Sequence, residues 1–241
     1  MCTVSYIPQK DNKGFVLTSN RDEKFFRPTI SPEIYQMGET NICFPKDEKA
    51  GGSWIAASEN GRLCCLLNGA FVEHQKKPFY TQSRGNILVE LASSSLSPFD
   101  FYEGKNMFDV EPFTIITLEA PEKEIIHFSE FIWDGSKKHF RVLNPEEPQI
   151  WSSVTLYSPE HSRLREQWFR RFLKNVNGNL SSENILRFHS GTHIEDNSIN
   201  VVMEREGGLK TVSITQVIPE NGNFRMKYFD LHNIVNTAIL I

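Results

Sequence analysis

The chain has 241 residues, 39% hydrophobic and 23% charged, with a net charge of −4. This is ordinary for a globular protein with a sizeable core, and the acidic balance gives no electrostatic reason to expect nucleic acid or an anionic membrane surface as partner. No apolar run approaches the roughly 18 residues of a spanning helix, and no basic segment followed by an apolar one marks a secretory signal. The expectation is a cytoplasmic protein with reduced cysteines and no integral membrane segment.

In chain order, "CTVSYI" and "FVLTS" are short apolar-rich runs separated by the turn-like "PQKDNKG", which predicts a hairpin. "GGSWIAAS" and "LCCLLNGAF", joined by "ENGR", predict a second. A helix is expected from Ser83 to Ala92, with Ser83 as cap and Ile87, Leu88 and Leu91 on one face. "PFTIITLEA", "EIIHFSEF", "KHFRVLN" and "WSSVTLY" read as strands. In "YSPEHSRLREQWFRRFLKN", Ser158 caps a helix, Pro159 fits its first turn, and Leu164, Trp168, Phe169 and Phe172 make an apolar stripe. A short helix, "SSENILRFH", precedes the strand-like "INVVMER", "KTVSITQVI" and "FRMKYFDL". Strands, then helices, then strands indicate an α+β layered protein. With no internal repeat, low-complexity tract or long linker, residues 1–241 read as a single domain.

Of the four cysteines, Cys43, Cys64 and Cys65 sit in apolar runs and read as buried structural thiols. There is no CxxC, and adjacent Cys64 and Cys65 point to opposite faces of a strand, so neither zinc nor a disulfide framework is supported. Cys2 differs by position. Removal of Met1 gives it a thiol and a free α-amine, a nucleophile and a base on one residue; a model α-amine titrates at about 7.7 to 8.0. Pairing of the first two strands would return "SNRDE" towards the chain start. Asp22 would then hold the α-ammonium, and Arg21 would favour the thiolate or bind an anionic substrate; the alternative is a solvated turn and an inert thiol.

"MCT", "SNRDE", "FFRPT" and "GGSWIA", in that order, resemble the NRDE family, also called the transport and Golgi organisation protein 2 family. The resemblance is strong over about the first 70 residues and thinner beyond. It implies a four-layer αββα sandwich of the N-terminal-nucleophile (Ntn) hydrolase-like kind, with two antiparallel sheets. More distantly the chain is similar to cysteine Ntn amidases such as penicillin V acylases and bile salt hydrolases. On that similarity Cys2 matches the nucleophile, Asp22 the aspartate holding its amine, and Asn68, at the end of "LLN", the oxyanion-hole asparagine. Arg21, Asn20 and Trp54 are the implied substrate-binding residues. Departures are visible: Ser19 stands where the amidases have an arginine, Lys210 is the only counterpart of their late arginine, and "TLYSPEH" puts Tyr157 and Ser158 where they have a second asparagine.

The seven histidines show no ligand spacing; "RFHSGTHIED", with His189 and His193, reads as a solvated loop. "GGSW" lacks the Lys-Ser/Thr of a phosphate loop and reads as a close-packed turn. "EKFFRPT" brings Phe25, Phe26 and Arg27 to a pocket mouth or to plain surface packing. Neither cofactor nor metal is called for. The first expectation is an Ntn-type cysteine hydrolase or acyltransferase acting on a small non-peptide amide or acyl compound. Because the NRDE family is connected with lipid and haem handling, the resemblance equally implies a non-catalytic carrier of lipid, acyl-CoA or haem. The oligomeric state is not legible.

Overall fold

The structure, a computed structural model, describes residues 3–9, 14–121, 125–176 and 180–241; Cys2 lies outside the described residues. In chain order the elements are β1 (Thr3–Pro8), β2 (Phe15–Lys24), β3 (Thr29–Met37), β4 (Thr40–Asp47), β5 (Ile55–Ser58), β6 (Arg62–Asn68), α1 (Arg84–Ser93), α2 (Pro98–Gly104) and β7 (Phe113–Glu119). There follow β8 (His127–Trp133), β9 (Lys138–Val142), β10 (Gln149–Ser152), α3 (Pro159–Asn175), α4 (Ser182–Ser190), β11 (Glu204–Arg205), β12 (Leu209–Glu220), β13 (Asn223–Asp230) and β14 (Val235–Leu240). The described strands make two antiparallel sheets. One runs β10-β1-β2-β12-β13-β14 with β11 beside β12, and the other runs β3 to β9 in sequence order.

The period-2 alternation of strand side chains explains the layering. Val4, Tyr6, Phe15 and Leu17 of the first hairpin meet Ile55, Ala57, Leu63 and Cys65 of the second in the core between the sheets. The other face of the β3–β9 sheet, with Ile42, Phe44, Ala56 and Cys64, packs under α1 and α2. Ile7 and Val16, on the other face of the first sheet, pack against Trp168 and Phe169 of α3 and Ile185 and Phe188 of α4. The result is the expected αββα sandwich, and Cys64 and Cys65 do face opposite layers.

Both predicted hairpins are present, as β1–β2 and β5–β6. Ser158 caps α3, its Oγ accepting from the His161 N–H. Ser83 occupies the N-cap position of α1, but its side chain makes no capping hydrogen bond. Two expected strands are corrected. "WSSVTLY" stays extended only to Ser152, because Ser153 Oγ bonds the Asn68 carbonyl (2.7 Å) and the Tyr157 N–H turns back to the Ser153 carbonyl (3.0 Å). Such local side-chain bonds compete with the ladder. In "INVVMER" only Glu204–Arg205 is strand. The carbonyls of Ile199 and Asn200 accept from Arg165 and that of Val201 from Asn20, so side chains take the place of a partner strand. His189 is corrected too: it belongs to α4 and is completely buried, not part of a solvated loop. The reading of the sequence passed over β3, β4, α2 and β14. No described helix is long and apolar enough to cross a membrane.

Candidate active site

The first two strands bring the NRDE residues to one end of the sandwich. In β1, Thr3 pairs with Asn20 of β2 on one side and with Ser152 of β10 on the other. Successive β2 side chains then diverge. Arg21 turns to the inter-sheet side, where its guanidinium lies 4.3 Å over the Trp54 ring and its Nη2 reaches Asp47 Oδ2 at 2.6 Å. Asn20 and Asp22 turn to the side covered by helices. Opposite them β12 carries an irregularity: Thr211 pairs with Asp22 and Ser213 with Arg21, leaving one extra residue between. A bulge of this kind re-aims a side chain, and here Thr211 Oγ1 reaches Asp22 Oδ1 at 2.6 Å. The other carboxylate oxygen accepts the Tyr157 hydroxyl, also at 2.6 Å.

Arg21, Asp22, Trp54 and Asn68 all line one pocket of about 120 Å³, together with Arg27 and Asp47. The β4–β5 turn forms part of its wall. A Cβ on Gly52 would come within 2.5 Å of the Gly85 carbonyl carbon, so the turn and the start of α1 meet backbone to backbone, the close packing read from "GGSW". Asp47 joins the cationic side chains: Arg27 donates to Oδ2 from Nε (2.7 Å) and to Oδ1 from Nη2 (3.2 Å), beside the Arg21 contact. Burial pushes the Asp47 carboxyl up, but hydrogen bonds from Arg27 and the Ala50 N–H, with the charges of Arg27 and Arg21, outweigh it and hold the group below its ordinary value. The Trp54 indole N–H is buried without a hydrogen-bond partner among the described residues.

Asn68 ends β6 and is followed by Gly69 at φ +86°, where a Cβ would meet Val154 Cγ2 at 2.5 Å. Asn68 also lines a second pocket, of about 90 Å³, whose walls include Leu67, Ile132, Trp151, Ser152 and Val154. One pocket is therefore bordered by charged groups around Asp47 and the other by apolar side chains mixed with Thr114, Ser152 and Glu130, with Asn68 common to both. Ser152, the β10 partner of Thr3, borders the smaller one.

Asn20 is not part of this lining. It is fully buried, its Nδ2 donating to the carbonyls of His189 (2.9 Å) and Val201 (3.0 Å). Phe25 and Phe26 are exposed on the turn after β2, while Arg27 lines the charged pocket. The sequence reading missed Thr211 and the contact of Tyr157 with Asp22. A bulge partner and a turn residue carry no periodic signal, and only the departure at "TLYSPEH" marked Tyr157. Among the described residues no cluster of His, Cys, Asp and Glu has the arrangement of a metal site.

The fold is shared with solved structures of low sequence identity. A penicillin V acylase from Agrobacterium tumefaciens superposes with a TM-score of 0.61 at 10% identity, over 100% of this chain and 86% of that one. An N-acylethanolamine-hydrolyzing acid amidase ortholog from Caenorhabditis elegans gives 0.58 at 12%, over 89% and 92%. A variant of the conjugated bile acid hydrolase from Clostridium perfringens gives 0.56 at 12%, over 99% and 92%. At these identities the likeness establishes an Ntn-hydrolase-like fold. No curated protein sequence matches the chain. The profile of the Transport and Golgi organisation 2 family matches residues 1–222, and the chain belongs to that family.

Proposed function

We propose that this chain, working as a single domain in the cytoplasm, is an N-terminal-nucleophile cysteine hydrolase or acyltransferase acting on a small non-peptide amide or acyl compound. One observation carries the reading: Asp22, Asn68, Arg21 and Trp54 border a single pocket at the end of the sandwich where β1 begins. Cys2 precedes Thr3, the first residue of β1, by one peptide bond. The fold supports a hydrolase, since the relatives above are named for amidase, acylase and hydrolase activity.

In this reading Met1 is removed and the α-amine of Cys2 takes the thiol proton. The thiolate attacks the substrate carbonyl, and Asn68 donates to the oxyanion, a contribution of about 2.7–4 kcal/mol where one such donor has been removed from other enzymes. Asp22 orients the ammonium. The C–N bond breaks as the ammonium returns its proton to the leaving amine, and water or another acceptor then cleaves the thioester. The two pockets sharing Asn68 suit a substrate with two short arms, and the charged lining of the larger one suits a polar group better than an alkyl chain.

The test is turnover of a panel of acyl-amide and acyl-ester probes. Cys2→Ala abolishes it, Cys2→Ser loses most of it, and Asp22→Asn weakens it less completely. A carrier of lipid, acyl-CoA or haem would instead keep its ligand in Cys2→Ala and show no turnover in any form.

A further inference from the structure

Tyr157 lies in the turn between β10 and α3, almost completely buried, and its hydroxyl donates to Asp22 Oδ2. The carboxylate is gripped from both sides, since Thr211 supplies its hydroxyl to the other oxygen while accepting the Met203 N–H at 2.9 Å. The phenol is itself held. The Arg165 guanidinium lies 3.5 Å from the centre of the Tyr157 ring, and the Arg205 guanidinium 5.2 Å from it. Arg205 is anchored on the carbonyls of Ser198 (2.7 Å) and Leu156 (2.8 Å).

Arg165 is completely buried, and among the described residues no carboxylate pairs with it. Its hydrogen bonds go to Thr3 Oγ1 and to the carbonyls of Ile199 and Asn200. A guanidinium taken out of water without a counter-ion is a costly way to fill a core. An apolar residue would pack the same space without that cost, but it would not join the Tyr157 ring to the start of β1.

We infer that Tyr157 is a positioning residue: with Thr211 it fixes both oxygens of Asp22, and through Arg165 it ties that carboxylate to Thr3, so that Asp22 and the start of β1 are held as one unit. The inference rests on the proposed role of Cys2 and Asp22. Its chemical consequence follows from the proton transfer from thiol to α-amine. That step creates a thiolate and an ammonium, and a fixed Asp22 stabilises the ammonium. When Asp22 is free to swing away, the ion pair forms less readily and the thiol reacts as a thiolate only at higher pH.

Alkylation of Cys2 by iodoacetamide, followed by peptide mapping from mildly acidic to mildly alkaline pH, reads this directly. The full chain is used, and thermal melts establish that each variant is folded. In Tyr157→Phe the Cys2 alkylation rate near neutral pH falls by about tenfold, the equivalent of one pKa unit, and the rising limb moves to higher pH. Thr211→Val, which releases the other oxygen of Asp22, shifts the profile the same way, whereas Thr211→Ser keeps the donor and the wild-type profile. A merely structural role for Tyr157 would lower the melting temperature and leave the profile where it is. If Cys2 is the fast thiol but Tyr157→Phe and Thr211→Val both keep the wild-type profile, the inference is overturned and the nucleophile reading stands. If Cys2 is no faster than Cys43, Cys64 or Cys65 in the unaltered protein, both are overturned.

Discussion

Asn20 and His189 are locked together between β2 and α4: His189 Nδ1 lies 2.5 Å from Asn20 Oδ1, and Asn20 Nδ2 donates to the His189 carbonyl. The amide oxygen accepts from Nδ1–H, which leaves Nε2 of the neutral ring to accept from Ser5 Oγ at 2.7 Å. The first residue of the NRDE tetrad thus clamps the hairpin to α4, while the other three border the pocket.

Burial, then the neighbouring side chains of His193 and Arg165, pull His189 from 6.5 to about 3. A histidine depressed in the folded state contributes stability that is fully present above its unfolded value. That contribution is lost as pH falls from about 6.5 towards 3, because the unfolded chain takes up the proton first. Urea midpoints followed over this range decline with a slope of up to one proton, and His189→Gln flattens the slope. The same variant loses at least about 2 kcal/mol at neutral pH, because the polar groups of Ser5 and Asn20 lose a buried partner.

Asp47 answers two guanidiniums and is itself nearly buried. Asp47→Asn removes the counter-charge of the buried Arg21 and destabilises by about 3–5 kcal/mol. Because the folded-state value of Asp47 lies below 3.8, its contribution is present above that value and is lost only as pH falls through the folded one. The Asp47→Asn deficit measured by urea unfolding therefore stays constant between neutral pH and about pH 5, where the His189 contribution is already falling.

Gly69 sets the position of Asn68. Gly69→Ala forces a Cβ into Val154 and places a side chain at a left-handed φ, so the turn shifts and carries the Asn68 amide with it. The expected cost is about 1–3 kcal/mol in stability. Turnover of any acyl probe the protein accepts falls more in kcat than in KM, since the oxyanion contact is made in the transition state.

The hairpins, α1, α3 and α4 were legible because their apolar residues recur at period 2 or 3.6 and turn residues bound them. Of the pocket residues, Arg21, Asp22 and Trp54 were legible through the order of four short motifs and Asn68 through the more distant amidase similarity, while Asp47 carried no signal. Composition and spacing alone leave Asp22, Asn68 and Trp54 as an ordinary turn acid, a turn amide and a core aromatic. β3 escaped notice because its face is largely exposed and it carries Pro32, as befits the edge of its sheet. The segment from Ile199 to Met203 reads as a strand by its Val-rich composition, yet its carbonyls are taken by Arg165 and Asn20, contacts more than thirty residues away in sequence that no local pattern encodes. Asn20 was placed at the substrate by its motif, whereas its position on β2 turns it towards α4.

The described thiols are well shielded. Cys43, Cys64 and Cys65 are fully buried, and burial pushes each up to about 12. In the native protein near neutral pH, iodoacetamide should leave all three intact for as long as the fold persists, and unfolding in urea should expose them together. Rapid native labelling at Cys64 or Cys65 would mean that the layer under α1 or the inter-sheet core opens far more readily than its packing implies.

The most direct measurement of the central claim is intact-mass spectrometry of the full chain after brief exposure to a panel of activated acyl esters and acyl amides, with the adduct located by peptide mapping. The expected mass lacks Met1 and carries one acyl group, located on Cys2; the adduct is absent from Cys2→Ala and accumulates more slowly in Asp22→Asn. Retention of Met1, or binding of an acyl ligand that is equally tight in Cys2→Ala with no covalent adduct under any probe, would contradict it.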